Sequence, residues 1–372
     1  MNSLTLRALR ATLAAGAALA LLAGCSTTAP TPVASPTAAS VAPSPTPTVE
    51  AVSGPQPLID LTCDELGVAL PLASTFAMSV TSQNRAITEY RAAQYFPSAF
   101  EVRSAGGLVC EWSNGMPDAP FGGNFPDYAG VTVDVLPEPG VQWDKYVERV
   151  NAMGDRTLSC YTFDGEGMCF LDELGANRWI AVTVRGAVSE SAASTLTTSA
   201  VDAVTAAGPG GAPWTVPAST LALPADCATY IDSAEAQVAV GIVEPLRVLE
   251  LYGVPLDVGG AAAAIDPGHR CMLGFEFDEA GVGFVSILRG GEWGWNDVKS
   301  AVGATPLELE GLGADNEAWL RCGPGIDWCN ADLIIGGNWI SIELAKHDFG
   351  GPYDIRAAAQ AVAATIVRNV VP

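Results

Sequence analysis

Eight of the nine cysteines constrain this chain more than any other feature. Cys63, Cys110, Cys160 and Cys169 are separated by 47, 50 and 9 residues, and Cys227, Cys271, Cys322 and Cys329 by 44, 51 and 7. The repetition extends beyond sulfur. Trp179 follows Cys169 by ten residues and Trp339 follows Cys329 by ten, each inside an alternating strand pattern, RWIAVTV (178–184) and NWISIEL (338–344). Upstream lie VTVDVL (131–136) and FVSILR (284–289), each followed by a Trp-led helical pattern, WDKYVERV (143–150) and WNDVKSAV (295–302). Cysteine spacing, tryptophan position and element order together point to internal duplication of a unit of about 150 residues.

An even set of cysteines in an exported chain calls for disulfides. Eight cysteines allow roughly a hundred connectivities. Confining the bonds to one unit and repeating the pattern leaves three. The favoured one joins Cys63 to Cys110 and Cys160 to Cys169, then Cys227 to Cys271 and Cys322 to Cys329. The close pairs flank short glycine-containing turns and would staple adjacent strands. The wide pairs would pin the first helix of each unit to a strand. Loop-closure entropy makes the wide links worth roughly 4 kcal/mol each and the close ones about 3.

Each unit closes with an amphipathic helix. Ala193, Leu196, Ala200, Val204 and Ala207 form one apolar stripe, stopped by Gly208. Ile355, Ala359, Val362, Ile366 and Val370 form the other, with Asp354 as its N-cap. Helices are also expected around CDELGVAL, NRAITEYRAAQYF (84–96) and CATYIDSAEAQVAV. The strands alternate apolar with polar, the pattern of a sheet with one face packed and one face wet. The expected fold class is therefore α+β: two tandem homologous domains, each an antiparallel sheet with helices packed on one face, disulfide-braced. The copies are expected at 58–207 and 223–372, with 208–222 (beginning GPGGAPW) as a linker.

The N-terminus places the protein. Arg7 and Arg10 precede an apolar run, 11–23, that is shorter than the ~20 residues a spanning helix needs. Residues 1–24 read as a signal peptide. The ending Leu22-Ala23-Gly24-Cys25 has the form of the bacterial lipobox, so Cys25 is the expected lipidation site and the mature protein is held on the membrane by acyl chains. Residues 25–57 then form a lipidated, disordered Pro/Ser/Thr/Ala-rich tether. The expected location is the outer face of the cell membrane, with the folded part extracytoplasmic. Loss of residues 1–24 removes two arginines and no acids, leaving 16 basic against 41 acidic side chains, a net charge of −25. No basic surface remains to neutralise phosphates, which excludes nucleic acid as a partner class.

A helix-borne cysteine near the domain start, the segment LVCEW with Cys110 and Trp112, the lipobox and the Pro/Thr-rich tether together resemble the actinobacterial cell-envelope lipoproteins of unknown function. Cys271 lacks the following tryptophan, so the second half departs from the pattern. The resemblance implies an α+β fold and a cell-surface location. It implies no reaction and no catalytic residues.

The chain carries no recognisable catalytic motif, and neither a metal site nor a cofactor is expected. Its two histidines, His269 and His347, are too few for a histidine-rich zinc site. Asp164 with Glu166, and Asp278 with Glu279, sit in turns, where a glycosidase pair would need a fixed separation across a cleft. The better binding candidates are Trp293, Trp295 and Arg289 in RGGEWGWND (289–297), where glycines would leave the rings free to stack on a ligand. The expected function is non-enzymatic binding of a protein or glycan at the envelope. The alternatives are a carboxylate-dependent hydrolase of cell-wall polysaccharide and a purely structural or assembly lipoprotein.

Overall fold

In a computed structural model the described residues are 54–92, 98–116, 128–153, 158–163, 166–224, 226–241, 245–250, 257–265, 269–275, 278–323, 328–345 and 354–371. The signal peptide, Cys25 and most of the tether lie outside them. The first half runs β1 (Ile59–Asp60), α1 (Cys63–Ala69), α2 (Leu72–Thr75), β2 (Thr81–Gln83), α3 (Arg85–Ala92), α4 (Ser98–Ser104), β3 (Leu108–Ser113) and β4 (Gly130–Pro137). It continues with α5 (Val141–Met153), β5 (Ser159–Phe163), β6 (Glu166–Gly175), β7 (Arg178–Arg185) and α6 (Glu190–Ala206). After β8 (Gly208–Pro209) come α7 (Cys227–Tyr230), α8 (Ser233–Val240), β9 (Arg247–Glu250), α9 (Val258–Ile265), β10 (His269–Phe275) and β11 (Asp278–Leu288). The chain ends with α10 (Glu292–Val298), β12 (Thr305–Pro306), β13 (Glu317–Cys322), β14 (Trp328–Ile335), β15 (Asn338–Ala345) and α11 (Ile355–Val370).

Local chemistry sets these boundaries. Thr62 and Glu65 form a capping box that starts α1: the Thr62 hydroxyl accepts from the Glu65 amide, and the Glu65 carboxylate accepts from the Thr62 amide at 2.9 Å. Ser189 caps α6, and Asp354 caps α11 by accepting from the Arg356 and Ala357 amides. The hairpins β6–β7 and β14–β15 each turn through two residues in the left-handed region, Ala176 and Asn177 (φ 50° and 58°) and Gly336 and Gly337 (φ 53° and 80°).

Apart from β1 and β8, which pair with each other, the strands form two antiparallel sheets in the order β2-β3-β4-β7-β6-β5 and β9-β10-β11-β15-β14-β13-β12. Apart from β12, the two orders correspond strand for strand. The outer face of the first sheet packs Val131, Val133, Ile180 and Val182 against Leu66 of α1 and Leu196, Ala200 and Val204 of α6. The outer face of the second packs Val285, Leu333, Ile340 and Ile342 against α7, α8 and the Val362 and Ile366 side of α11. Cys63–Cys110 and Cys227–Cys271 tie the first helix of each half to the second strand of its sheet, while Cys160–Cys169 and Cys322–Cys329 link directly opposed strand residues. These are the four pairs favoured by the spacing argument.

The expectation that helices cover only one face of each sheet needs correction. The second sheet buries its other face as well, and the first covers part of its own, around Leu136 and Trp179, against a middle layer that contains α3, α4, α5, α9 and α10. The physical reason is the size of the side chains there: Trp179, Trp295, Trp339, Tyr90 and Phe100 are all fully buried in this layer. At its centre α4 and α9 cross closely. A Cβ on Gly259 of α9 would lie 2.1 Å from the Ser98 Cβ of α4. Each of these residues stands twelve positions before the strand cysteine of its own half, Cys110 or Cys271.

Residues Ala51–Pro372 form one compact unit. The segment read as a free linker is docked. β8 pairs with β1, the Gly210 and Gly211 amides donate to the Leu58 and Pro57 carbonyls, and the Leu221 amide donates to Gly336. The tether likewise ends earlier than composition suggested, because Pro55 is buried and Gly54 packs on Trp293. Among the described residues no helix is long and apolar enough to cross a membrane.

Candidate functional site

The glycine-flanked tryptophans do not offer an open platform. Trp293 is 4 % exposed and Trp295 is fully buried. Trp293 is enclosed by Phe100, Trp214 and Gly54, and Trp295 packs on Trp339, Tyr90 and Trp319. The glycines serve close packing: a Cβ on Gly294 would lie 2.7 Å from the Phe100 ring. The cation over Trp293 is Arg103 of α4, 4.7 Å from the ring centre and 3.3 Å from Asp297. Arg289 is half-buried just beyond β11. Binding through exposed Trp293 and Trp295 rings is thus replaced by a core role.

A repeated polar contact escaped the sequence reading. In the second half the Trp339 indole N–H donates to Asp332 Oδ1 at 2.8 Å, and the Tyr90 hydroxyl donates to Asp332 Oδ2. In the first half the Trp179 indole donates to Asp172 Oδ1 at 2.7 Å, and Tyr146 donates to Oδ2 at 2.8 Å. Each aspartate lies three residues after a hairpin cysteine and seven before the tryptophan, a spacing visible in the repeat. The two tyrosines have different origins. Tyr146 comes from α5 of its own half, whereas Tyr90 comes from α3 of the other half. Burial pushes both aspartate pKa values up, against the hydrogen bonds that favour the ionised form.

Beside Asp332, the inner face of the second sheet holds a row of polar side chains. Arg321 on β13 stands opposite Asn330 on β14, which stands opposite Glu343 on β15. Asn330 is fully buried and Glu343 is 2 % exposed. Neither Nδ2 nor Oδ1 of Asn330, nor Oε2 of Glu343, has a hydrogen-bond partner among the described residues. The Arg321 guanidinium lies 4.4 Å from the Tyr90 ring centre and 4.6 Å from that of Trp328. Burial pushes the Glu343 carboxyl well above the usual range, opposed by the charge of Arg321. Trp328 is half-buried in the next inner-face row along β14, and only a glycine at 323 leaves room for its indole, since a Cβ there would lie 2.4 Å from Nε1.

The fold does not require these groups. The hairpin cysteines and tryptophans place Ser159, Phe170 and Thr183 at the corresponding positions of the first sheet. Buried polar groups without partners cost about 1–3 kcal/mol each, so a row carrying three such atoms is a local sacrifice of stability. Functional sites are where such sacrifices concentrate.

Other candidates contribute nothing comparable. Asp164 and His347 lie outside the described residues. His269 pairs with Ile287 in the β10–β11 ladder, and Glu166, Asp278 and Glu279 lie within β6 and β11. Among the described residues no group of three or more metal-ligating side chains converges. No family model, curated protein or solved structure matches the chain.

Proposed function

We propose that this is a lipid-anchored extracytoplasmic lipoprotein that binds a ligand at the cell envelope without transforming it. In this reading it is built from a duplicated α+β unit, of which the second copy carries the site. The lipobox ending at Cys25 supports the anchor, and four disulfides suit an oxidising compartment. The matching strand order of the two sheets supports duplication. The observation that carries binding is the row of buried, unmatched hydrogen-bonding groups at Asn330 and Glu343, present in one half and replaced by Phe170 and Thr183 in the other.

Two measurements test the proposal. Mass spectrometry of the mature chain from its host is expected to find an N-terminal Cys25 carrying a diacylglycerol, and Cys25→Ser is expected to release the protein from the membrane fraction. The purified chain is expected to leave cell-wall polysaccharide intact. Measurable polysaccharide turnover by the wild type would overturn the non-enzymatic reading, and an unmodified Cys25 would overturn the anchor.

A further inference from the structure

Resting on that binding reading, we propose that the Asn330–Glu343 row recognises an amide group of the ligand, such as an acetamido or peptide unit. The chemistry follows from what is left unpaired. Asn330 presents an unmatched donor, Nδ2, and an unmatched acceptor, Oδ1, on one planar head with no exposure to solvent. Another amide satisfies both together, its carbonyl accepting from Nδ2 while its N–H donates to Oδ1. A carboxylate or phosphate would satisfy Nδ2 but set negative oxygen against Oδ1. An ammonium would satisfy Oδ1 but set its N–H groups against Nδ2.

The charges around the row favour the same class. Arg321 faces the carboxyl groups of Asp332 and Glu343, and the Tyr90 hydroxyl is already committed to Asp332. The positive charge therefore has carboxyl neighbours, and a neutral polar group matches the Asn330 head better than an ion does. The row lies near one end of the sheet. It is the second inner-face row from the Cys322–Cys329 end of the sheet, and half-buried Trp328 stands between it and that end. The indole supplies a flat apolar surface beside the polar head, the pairing by which aromatic side chains hold amphipathic ligands.

The test uses the full mature chain in detergent micelles, titrated by calorimetry and by ligand-observed NMR. The probes are N-acetylglucosamine, the dipeptide Ala-Ala, and glucose as the control without an amide. At least one amide probe is expected to bind and glucose is not. The arm that responds separates a sugar acetamide from a peptide. Asn330→Leu, similar in size but without hydrogen-bonding groups, is expected to weaken the responding probe by about tenfold or more, as loss of two hydrogen bonds implies. Its melting temperature is expected to stay level or rise, because an unmatched polar group has been removed. Should that variant not fold, Asn330→Asp replaces it: this keeps the shape but loses the donor, and the same weakening is expected. Unchanged binding in the folded variant, no preference for amides over glucose, or a crystal structure at saturating probe with only ordered water on Asn330 would each overturn the proposal. A bound molecule extracted from the native protein that lacks an amide would overturn this assignment and leave the binding reading standing. Failure of all probes together with no extractable ligand would remove both.

Discussion

Asp332 holds two buried donors at once, which makes it the most consequential single carboxylate in the described fold. Truncation to alanine would leave the Trp339 indole and the Tyr90 hydroxyl unmatched in a region with no exposure. We expect Asp332→Ala to cost about 3 kcal/mol, measured as a shift in the denaturation midpoint. Asp172→Ala should cost about half as much by the same reasoning, since Asp172 and Tyr146 keep partial access to water that can replace the lost acceptor. Equal losses at the two sites would show that burial does not set the difference. A second prediction concerns backbone. Ala176 sits at φ 50° where the corresponding hairpin position is Gly336. Ala176→Gly is expected to raise stability by about 1 kcal/mol, the cost of a left-handed alanine less the entropy of glycine. Thermal unfolding checks it, and a lower melting temperature would count against the argument. At this scale the sequence was legible where chemistry is local. Asp354 capped α11 as its neighbours implied, and the cysteines paired as their spacing suggested. Asn330 and Glu343 were illegible because polar residues alternating in a strand read as a wet face. Here α3 covers that face instead, and no local signal announces a cover supplied from about 240 residues away.

Elements repeat more faithfully than residues, and where the halves differ the differences compensate. In the first half α5 runs for 13 residues and brings Tyr146 over its own sheet; in the second, α10 has only 7. The missing cover comes from α3, which follows β2 in the first half and delivers Tyr90 across the middle layer to the second sheet. The stripes of α6 and α11 could be read from periodicity because they depend on neighbours close in sequence. The middle layer could not, because it depends on which faces of two sheets meet. Glycines 290, 291 and 294 illustrate the ambiguity: they suit an open loop and a tight contact equally, and Trp293 and Trp295 turned inward. The crossing of α4 and α9 is the test of this arrangement. Gly259→Ala would force a Cβ into the Ser98 side chain and push the helices apart. A loss of about 2 kcal/mol is expected, the usual scale of overpacking. Combining it with Ser98→Gly, which clears the opposing side, should recover much of that loss. A double variant no better than the single one would indicate that the helices do not meet at these positions.

At the scale of the whole molecule, the two halves are joined through buried charge, and this gives stability a definite dependence on pH. Glu101 on α4 is ion-paired with Arg270 on β10 of the other half, while Asp134 on β4 lies 3.7 Å from Arg85 of its own half and feels the charge of Asp257 from the other. Glu89 and Asp257 add negative charge nearby, so four carboxylates face two guanidinium groups. Burial is the larger influence on both acids and outweighs their cationic partners. The carboxyl groups of Glu101 and Asp134 are each pushed up to about 7 from ordinary values of 4.5 and 3.8. Asp172, Asp332 and Glu343 are raised for the same reason. Among the described residues, Glu65 in the exposed capping box of α1 is lowered and acts in the opposite sense. A group whose folded pKa exceeds its unfolded pKa binds its proton more tightly in the native state. Its contribution is therefore complete below about pH 4 and is lost as pH rises through 7. The net charge of −23 pushes the same way, since acidification relieves repulsion within the compact state. We expect the melting temperature to be higher at pH 5 than at pH 8, by roughly 5 °C. Glu101→Gln with Asp134→Asn should flatten that slope, because the general relief of repulsion persists while the two raised groups are gone. A wild type less stable at pH 5 than at pH 8, or a double variant with the full slope, would mean that the seam between the halves is not where the protons are held.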